Sequence, residues 1–471
     1  MSSQAESCLR VVITYQQTGT GIGGVAAAVA LGRCGHQVVI LENAPELLEI
    51  GAGIQVAPNM LRLLDRWGIG DEIRAKGVKT QRVKVLRWQN GKILSDKVID
   101  GSHGEQWVIH RADLHNALIA KAQSFESVTM RLNSTVVDVN FRDASVQLST
   151  GEWVHGDVVL AADGIKSAIR KLLLDDDSDI AIPTGDAVFR LILPRDLMAH
   201  DPELLKCVTD ATVRRWVGPG GHIVAYPVRN HQLYNIAMAH PDRGGLEESW
   251  TTRGSKEMLL KEYEGWDPLL VKMLTLVPDE EVMEWKLCSH PPLKTWTRGS
   301  CALLGDACHP MLPYVAQGAA QAVEDAAALG VILSRVKSKL EIPTALEFYQ
   351  RTRKLRAETV QNFGTETRAS LHLADGPEQI ARDTLFATRS NPDRWNDAAS
   401  QQYLWSFDAE REAQGSAYGI FYILSEILAR LVYRCGPNVN TGAKKIQRAE
   451  SDHSYLGPSA NVSVVFLGSL A

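Results

Sequence analysis

The N-terminal residues show the hydrophobic pattern of a strand, a helix and a second strand. The apolar runs that predict them are VVI at 11–13, VAAAVALGRCG at 25–35 and QVVILE at 37–42. Between the first strand and the helix, GTGIGG places Gly19, Gly21 and Gly24 at the G-x-G-x-x-G spacing that lets a pyrophosphate approach a helix N-terminus. Glu42 ends the second strand at about the 20-residue offset where an acid receives ribose hydroxyls. The pattern therefore predicts a dinucleotide site.

Polar residues interrupt this pattern between the first strand and Gly19. A buried strand is expected to stay apolar into its turn, and Thr14 to Thr18 exceed that expectation by roughly four residues. Either these residues bulge from the strand end or they reflect a misplaced exon boundary. A real bulge would displace the phosphate loop and weaken nucleotide binding.

Helical and strand patterns alternate from Gly51 to about residue 175, and strands dominate from about 182 to 285. The first stretch predicts a helix from Pro58, a hairpin across Asn90–Gly91, a helix from Arg111, a hairpin from TVVDVNF to SVQLS, and a strand, turn and helix in GDVVLAADGIKSAIRKLL. The second contains AVFRLILP, HIVAYPV and LYNIAMAH, which predict a covering sheet. CALLGDA, from Cys301, then returns to the first domain.

Composition narrows the class of protein. A chain of 471 residues exceeds one core, so two or three domains are expected. The net charge of −5 and the scattered basic residues argue against a nucleic-acid partner. Seven cysteines without a C-x-x-C pair indicate reduced thiols and a cytoplasmic protein. No secretory signal, H-E-x-x-H motif, zinc-like His/Cys cluster or G-x-S-x-G motif occurs, so we expect neither a metal site nor a serine hydrolase.

A second long apolar stretch runs from Ala417 to Cys435, and Glu426 and Arg430 interrupt it. A transmembrane span is therefore not expected. The stretch predicts a buried or dimer-forming helix, which leaves a homodimer as one expectation. Attachment to a membrane surface is the alternative.

The most informative motif is GDACHPMLPYVAQGAAQAVEDAAALG, from Gly305 to Gly330. Together with GTGIGG and the ADG of VVLAADGIKSAIR, it resembles the group A flavoprotein monooxygenases of the para-hydroxybenzoate hydroxylase fold. Within them it is most similar to fungal salicylate hydroxylase-like enzymes. The resemblance covers roughly residues 9–410, and no family match is evident after about Gln414.

The resemblance implies an α/β fold with a Rossmann-like FAD-binding domain, interleaved with a mixed β-sheet substrate domain and followed by C-terminal helices. The expected boundaries are 9–181 and 296–375 for the two parts of the FAD-binding domain, 182–295 for the substrate domain, and 376–471 for the helical region.

The resemblance also assigns roles to residues around FAD. Asp306 would accept hydrogen bonds from the ribityl hydroxyls, and the helix that begins at Gly318 and Ala319 would stabilise negative charge on the reduced flavin. Four more residues match cofactor contacts: Ala52, Gly53, Arg111 and Asp163. With Gly19, Gly21, Gly24 and Glu42, they form the predicted cofactor site. His309 lies inside the motif and is expected to shape its loop.

The implied reaction is the hydroxylation of a phenolic substrate through a flavin hydroperoxide, with O2 and with NADPH or NADH as co-substrate. Arg190 and Tyr226 resemble the residues that activate and orient the phenol, because a cation beside the phenol oxygen favours its ionised form. The substrate would be a phenolic acid or a polyketide-derived phenol of secondary metabolism. Decarboxylative hydroxylation of a salicylate, alkene epoxidation and a flavin-binding protein without hydroxylase activity remain alternatives.

Overall fold

The structure is a computed structural model that describes residues 4–15, 21–47, 52–176, 180–244, 254–388 and 390–415. Gly19 and the apolar stretch from Ala417 lie outside the described residues. Among the described residues, no helix combines the length and the apolar character that crossing a membrane requires.

The strands follow one another in chain order as β1 (Arg10–Tyr15), β2 (Gln37–Glu42), β3 (Gly53–Val56), β4 (Val78–Lys79), β5 (Arg82–Arg87), β6 (Ile93–Val98), β7 (Trp107–His110), β8 (Val128–Arg131), β9 (Val136–Asn140), β10 (Ser145–Leu148), β11 (Trp153–His155), β12 (Val158–Ala161), β13 (Ile182–Pro194), β14 (Thr212–Gly218), β15 (Gly221–Val228), β16 (Leu233–Pro241), β17 (Met283–Ser289), β18 (Thr297–Arg298) and β19 (Cys301–Leu303).

The helices are α1 (Ile22–Arg33), α2 (Pro58–Arg66), α3 (Gly70–Lys76), α4 (Arg111–Gln123), α5 (Ala168–Leu174), α6 (Arg195–Met198), α7 (Pro202–Thr209), α8 (Lys256–Glu262), α9 (Pro268–Thr275), α10 (Gly318–Leu333), α11 (Ile342–Leu371), α12 (Pro377–Leu385) and α13 (Ala398–Trp405). The helices expected near Pro58 and from Arg111 and Gly318, and the hairpin across Asn90–Gly91, are therefore confirmed.

A six-stranded sheet with the order β18-β19-β12-β1-β2-β8 forms the Rossmann-like core. All of its pairs are parallel except β18 with β19. The chain runs from β1 through α1 to β2 on one side, while β12 flanks β1 on the other. The carboxyl ends of strands at such a switch in direction are where open α/β sheets bind ligands. The predicted fold class is confirmed, and the site is expected at this edge.

The polar residues after VVI begin by extending β1. Thr14 pairs with Leu41 and Ala161, and Tyr15 pairs with Glu42. Both side chains are buried, which is consistent with the high strand propensity of threonine and tyrosine. Gln16 to Thr18 lie outside the described residues, so the bulge expected for them stays a prediction.

A seven-stranded mixed sheet, ordered β17-β13-β16-β15-β14-β5-β6, is the second main sheet. The hairpin β5–β6 belongs to it, although this hairpin lies in sequence within the range 9–181. One face of the sheet carries Phe189, Leu191 and Ile236 and packs with residues of α7, α8 and α9 in an apolar core. Because side chains alternate along a strand, Val188, Arg190 and Ala237 point to the opposite face.

Candidate cofactor and substrate site

The end of β2 holds a carboxylate that is prepared for a ligand. Glu42 is fully buried, and its Oε1 accepts a hydrogen bond from the amide of Ala44 at 2.7 Å. Its Oε2 has no hydrogen-bond partner among the described residues. Burial raises the pKa of Glu42 to about 7. Since buried polar atoms are normally paired, the free oxygen fits the ribose hydroxyl that the sequence predicts there.

We expect the stability of the flavin-free protein to fall as the pH rises from about 4.5 to about 7, in part because Glu42 must ionise in its buried site. The folded protein holds this proton more tightly than the unfolded chain, so the contribution is greatest below pH 4.5. The Glu42→Gln variant should lose up to roughly 3 kcal/mol of this dependence. Urea denaturation of both proteins across this pH range measures the free energy of unfolding as a function of pH. If that free energy changed equally with pH in the wild type and in Glu42→Gln, the prediction would be wrong.

The loop after β19 carries Asp306 into a cleft. Its side chain is exposed to solvent, yet burial by the surrounding protein raises the pKa of its carboxyl, while His309 and Arg111 oppose that shift. A carboxylate that is open to solvent and also enclosed by protein lines a cleft. Arg111 lies near it at the start of α4, where its amide donates to the carbonyl of Ala52 at 2.9 Å. The structure therefore brings these three predicted cofactor residues together.

Asp163 differs from the other predicted cofactor residues because both of its oxygens are used inside the protein. One accepts from the hydroxyl of Ser167 at 2.5 Å, and the other accepts from the amide of Ile169 at 3.1 Å. It thus fixes the turn into α5 after β12. A direct contact with the cofactor stays a prediction.

Gly318 and Ala319 form the first turn of α10 and are partly exposed. The same helix carries Glu324 and Asp325, which are fully buried and face two arginines of α11. The ion pairs are Arg353 with Glu324 at 2.8 Å, Arg353 with Asp325 at 2.9 Å, and Arg356 with Glu324 at 2.8 Å. This buried network anchors α10, whose N-terminus is predicted from the resemblance to lie beside the flavin.

His309 joins the same network and not the cleft. Its Nε2 lies 2.5 Å from Asp325 Oδ2, and both side chains are fully buried. Asp325 Oδ2 also accepts from the amide of Gly305 at 3.0 Å, directly before Asp306. The contacts agree with the predicted loop-shaping role of His309.

Cys308, His309 and Asp325 are the one group of described residues whose ligand atoms lie close enough to share a metal ion. The pKa of the Cys308 thiol is raised well above its ordinary value by burial, so the thiol stays protonated. Arg353 and His309 already contact both oxygens of Asp325. These contacts disfavour a metal site in this group.

The seven-stranded sheet lies against Gly53, the first residue of β3; Ala52 and Gly53, both predicted cofactor residues, are called the cofactor loop below. The amide of Gly53 donates to Asn235 Oδ1 at 2.7 Å, and its carbonyl accepts from Arg190 Nη1 at 3.5 Å. A Cβ at this position would lie 2.5 Å from the Tyr226 ring and 2.7 Å from Asn235, so only glycine fits. Arg190 and Tyr226 are therefore close to the predicted cofactor loop.

Electrostatic effects support this grouping. Burial lowers the pKa of Arg190; Tyr226 opposes that shift, and the charge of Arg111 adds to it. Burial raises the pKa of Tyr226 to about 12, against the effect of Arg190. Tyr226 is therefore a neutral hydroxyl at physiological pH, which can orient a substrate but does not act as a base. Arg190 Nε is buried without a hydrogen-bond partner in the described part of the chain.

An opening lies beside these residues. Val224 and Ala237 occupy the middle of the central strands β15 and β16, yet both are partly exposed. Trp285 and Met311 are also partly exposed, and the Trp285 ring lies 5.6 Å from the Arg190 guanidinium. Central residues of a covered sheet stay accessible only where a cleft adjoins them. The partly exposed residues of this face are mainly apolar and adjoin the Arg190 guanidinium, which suits an aromatic anion.

Sequence reasoning missed Asn235 and Trp285. Asn235 shares its face with Ala237, while Tyr234 and Ile236 point to the apolar core. The signal in the sequence was a polar amide residue, Asn235, among the alternating apolar residues of the strand LYNIAMAH. Trp285 had no comparable signal, because the register of β17 against β13 decides its position.

Comparison with known proteins identifies the family and the fold. Residues 18–364 match the family described as FAD binding domain. The chain is 38% identical over 415 residues to the FAD-dependent monooxygenase atnJ of Arthrinium sp, a match that covers 88% of this chain and 98% of that protein. It is 34% identical over 396 residues to a 3-hydroxybenzoate 6-hydroxylase of Polaromonas naphthalenivorans (strain CJ2), with 82% and 95% covered. The fold also matches a salicylate hydroxylase substrate complex with a TM-score of 0.72 at 24% identity, covering 88% of this chain and 98% of the other.

Proposed function

This chain belongs to the FAD-dependent monooxygenases that share the FAD binding domain, and we propose that it hydroxylates a phenolic aromatic substrate with O2 and NAD(P)H. The observation that carries the proposal is the partly exposed sheet face, where Arg190 and Tyr226 meet the cofactor loop at Gly53. A relative named 3-hydroxybenzoate 6-hydroxylase supports a phenolic acid as the substrate class.

The described residues fit FAD at most of the predicted positions. Glu42 offers a free buried oxygen for the ribose, and Asp306 offers a carboxylate that faces the cleft. The first turn of α10 presents free amides at the end of a 16-residue helix. The predicted position that fits less well is Gly21, because the Tyr15 ring lies over it at the start of α1. When bound and reduced, FAD supplies the transfer of one oxygen atom from O2 to an electron-rich ring carbon.

The protein's own groups would bind and polarise the substrate. The Arg190 guanidinium would hold the phenolate oxygen and favour the ionised form, which is the stronger nucleophile. The neutral Tyr226 hydroxyl would set the orientation of the ring. Asn235 would act as a positioning residue, because its bond to the Gly53 amide fixes the loop that Arg190 also contacts. The apolar walls at Trp285 and Met311 would exclude water.

The experiment that tests the function is a substrate panel under ¹⁸O2. Salicylate, 3-hydroxybenzoate and larger phenolic acids would be supplied with NADPH or NADH, and oxygen uptake and product mass would be followed. We expect one phenol to raise NAD(P)H oxidation and to gain a single ¹⁸O atom. Loss of a carboxyl group from the product would identify decarboxylative hydroxylation. A protein that holds FAD but gives no labelled product with any phenol would refute the proposal.

Asp306→Ala tests the cofactor site directly. If the carboxylate accepts one or two charge-assisted hydrogen bonds from the ribityl chain, its loss should cost about 1.5 to 3 kcal/mol for each bond. The variant should purify largely without flavin, and its affinity for added FAD should fall at least about tenfold. The flavin to protein absorbance ratio and a fluorescence titration measure this. Asp306→Asn keeps an acceptor oxygen, so its affinity for FAD should fall less than that of Asp306→Ala.

A further inference from the structure

Tyr15 is the last residue of β1, and Gly19, the first glycine of the fingerprint, comes four residues after it in the sequence. In a typical site the first glycine follows the strand directly, because the turn is tight and the pyrophosphate passes close by. Here β1 continues to Tyr15, which pairs with Glu42, and α1 begins after Gly21. The match to the FAD binding domain family starts only at residue 18, so Tyr15 lies outside it.

The Tyr15 ring points to the start of α1. A Cβ on Gly21 would stand 2.7 Å from both Cε2 and Cζ of Tyr15, and a Cβ on Gly24 would stand 3.6 Å from its Cδ2. The ring therefore covers the helix terminus whose amides and dipole would receive a phosphate. Its side chain is buried, with 7% exposed.

The surroundings of Tyr15 are the predicted cofactor positions. The charged groups that act on its hydroxyl belong to Arg111, Glu42, Asp306 and Asp163. Burial raises the pKa of Tyr15 above its ordinary value, so the hydroxyl is neutral and places no charge among them. The space between these residues is thus partly filled by an aromatic ring of the chain itself.

We propose that, without flavin, the Tyr15 ring occupies the place of the FAD pyrophosphate over the start of α1, so that FAD binds only after this ring turns away. The inference rests on the FAD site of the proposed function. If the conformation with the ring turned away is a minor one, the apparent Kd for FAD equals the intrinsic Kd divided by the population of that conformation. The cost of exposing a buried aromatic side chain corresponds to a rise in the apparent Kd on the order of ten- to a hundredfold. The protein should therefore purify with less than one FAD per chain.

The test compares Tyr15→Gly, Tyr15→Ala and Tyr15→Phe with the wild-type protein in titrations with FAD and with ADP. ADP carries the same ribose and pyrophosphate, and heat release can report its binding without any flavin chemistry. Tyr15→Gly and Tyr15→Ala remove the ring and should bind both ligands about tenfold or more tightly than the wild type. Tyr15→Phe keeps the ring and should stay within about threefold of the wild type. Two ring-free variants guard against a folding defect in one of them.

The outcomes separate this inference from the proposed function. If the wild-type protein binds FAD and the ring-free variants bind it equally or more weakly, the Tyr15 inference is wrong while the FAD site stands. If Tyr15→Phe gains as much affinity as Tyr15→Ala, the hydroxyl and not the ring is responsible, which also overturns the inference. If neither the wild type nor any folded variant binds FAD, the FAD site and the inference fail together.

Discussion

Replacing Arg353 with methionine is expected to lower the free energy of unfolding by about 3 to 5 kcal/mol, because the change leaves buried carboxylates short of a partner. Arg353 is fully buried and pairs with both Glu324 and Asp325. Burial works to raise the pKa of Asp325, but His309 and Arg353 together hold it below its ordinary value. Without Arg353, Asp325 keeps only His309 as a charged partner in the network, and its buried charge is less well compensated.

The Arg353→Met change should also weaken flavin binding, because the network supports the predicted cofactor site. Asp325 accepts from the amide of Gly305, which precedes Asp306, and Glu324 and Asp325 lie on α10. Urea denaturation and the flavin to protein ratio measure the two effects. Lys354→Met is the matched control, because Lys354 is next in the chain and pairs with Glu358 at 2.5 Å in a partly exposed setting. An exposed pair is worth at most about 1 kcal/mol. An Arg353→Met protein as stable as this control would show that the network contributes little.

Most of the fold was predictable because it follows from local patterns. The period of the apolar residues and the glycine spacing indicated β1, α1 and β2, and the Asn90–Gly91 turn indicated the β5–β6 hairpin. The order of the seven-stranded sheet was not predictable, since distant segments form it: β5 pairs in parallel with β14, and β13 lies between β16 and β17. The domain boundaries stay predictions for the same reason.

The candidate site residues that belong to a sequence motif could be predicted. The residues that only tertiary contacts bring to the site could not. Asp306, Arg111 and Ala52, which the resemblance assigned to the cofactor site, lie near one another, and their contact with FAD stays a prediction. Arg353 belongs to a helix rich in charged residues, and such an arginine looks solvated in sequence although it is fully buried. Tyr15 looked like part of a polar interruption, and the approach of its ring to Gly21 and Gly24 is visible only in the tertiary structure.

Arg190→Ala should reduce product formation about a hundred- to thousandfold, which corresponds to the loss of one preorganised charge contact worth about 2.7 to 4 kcal/mol. Arg190 lies on the seven-stranded sheet, and the hydrogen bond that joins it to Gly53 of the predicted cofactor site is long, at 3.5 Å. The variant should therefore keep its FAD and still oxidise NADPH. Since the substrate is no longer activated, hydrogen peroxide formed per NADPH should rise.

The decisive quantity is the ratio of product to NADPH consumed, measured beside flavin occupancy in each variant. Arg190→Lys keeps the charge and loses the planar fork, so its ratio should fall between those of the alanine variant and the wild type. Tyr226→Phe keeps the ring that packs on Gly53 and removes the hydroxyl, so a smaller loss or a changed position of hydroxylation is expected. If Arg190→Ala retains wild-type coupling, or fails only because it has lost FAD, Arg190 does not activate the substrate. The neutral Tyr226 hydroxyl would then be the remaining polar group that the sequence placed at this cleft.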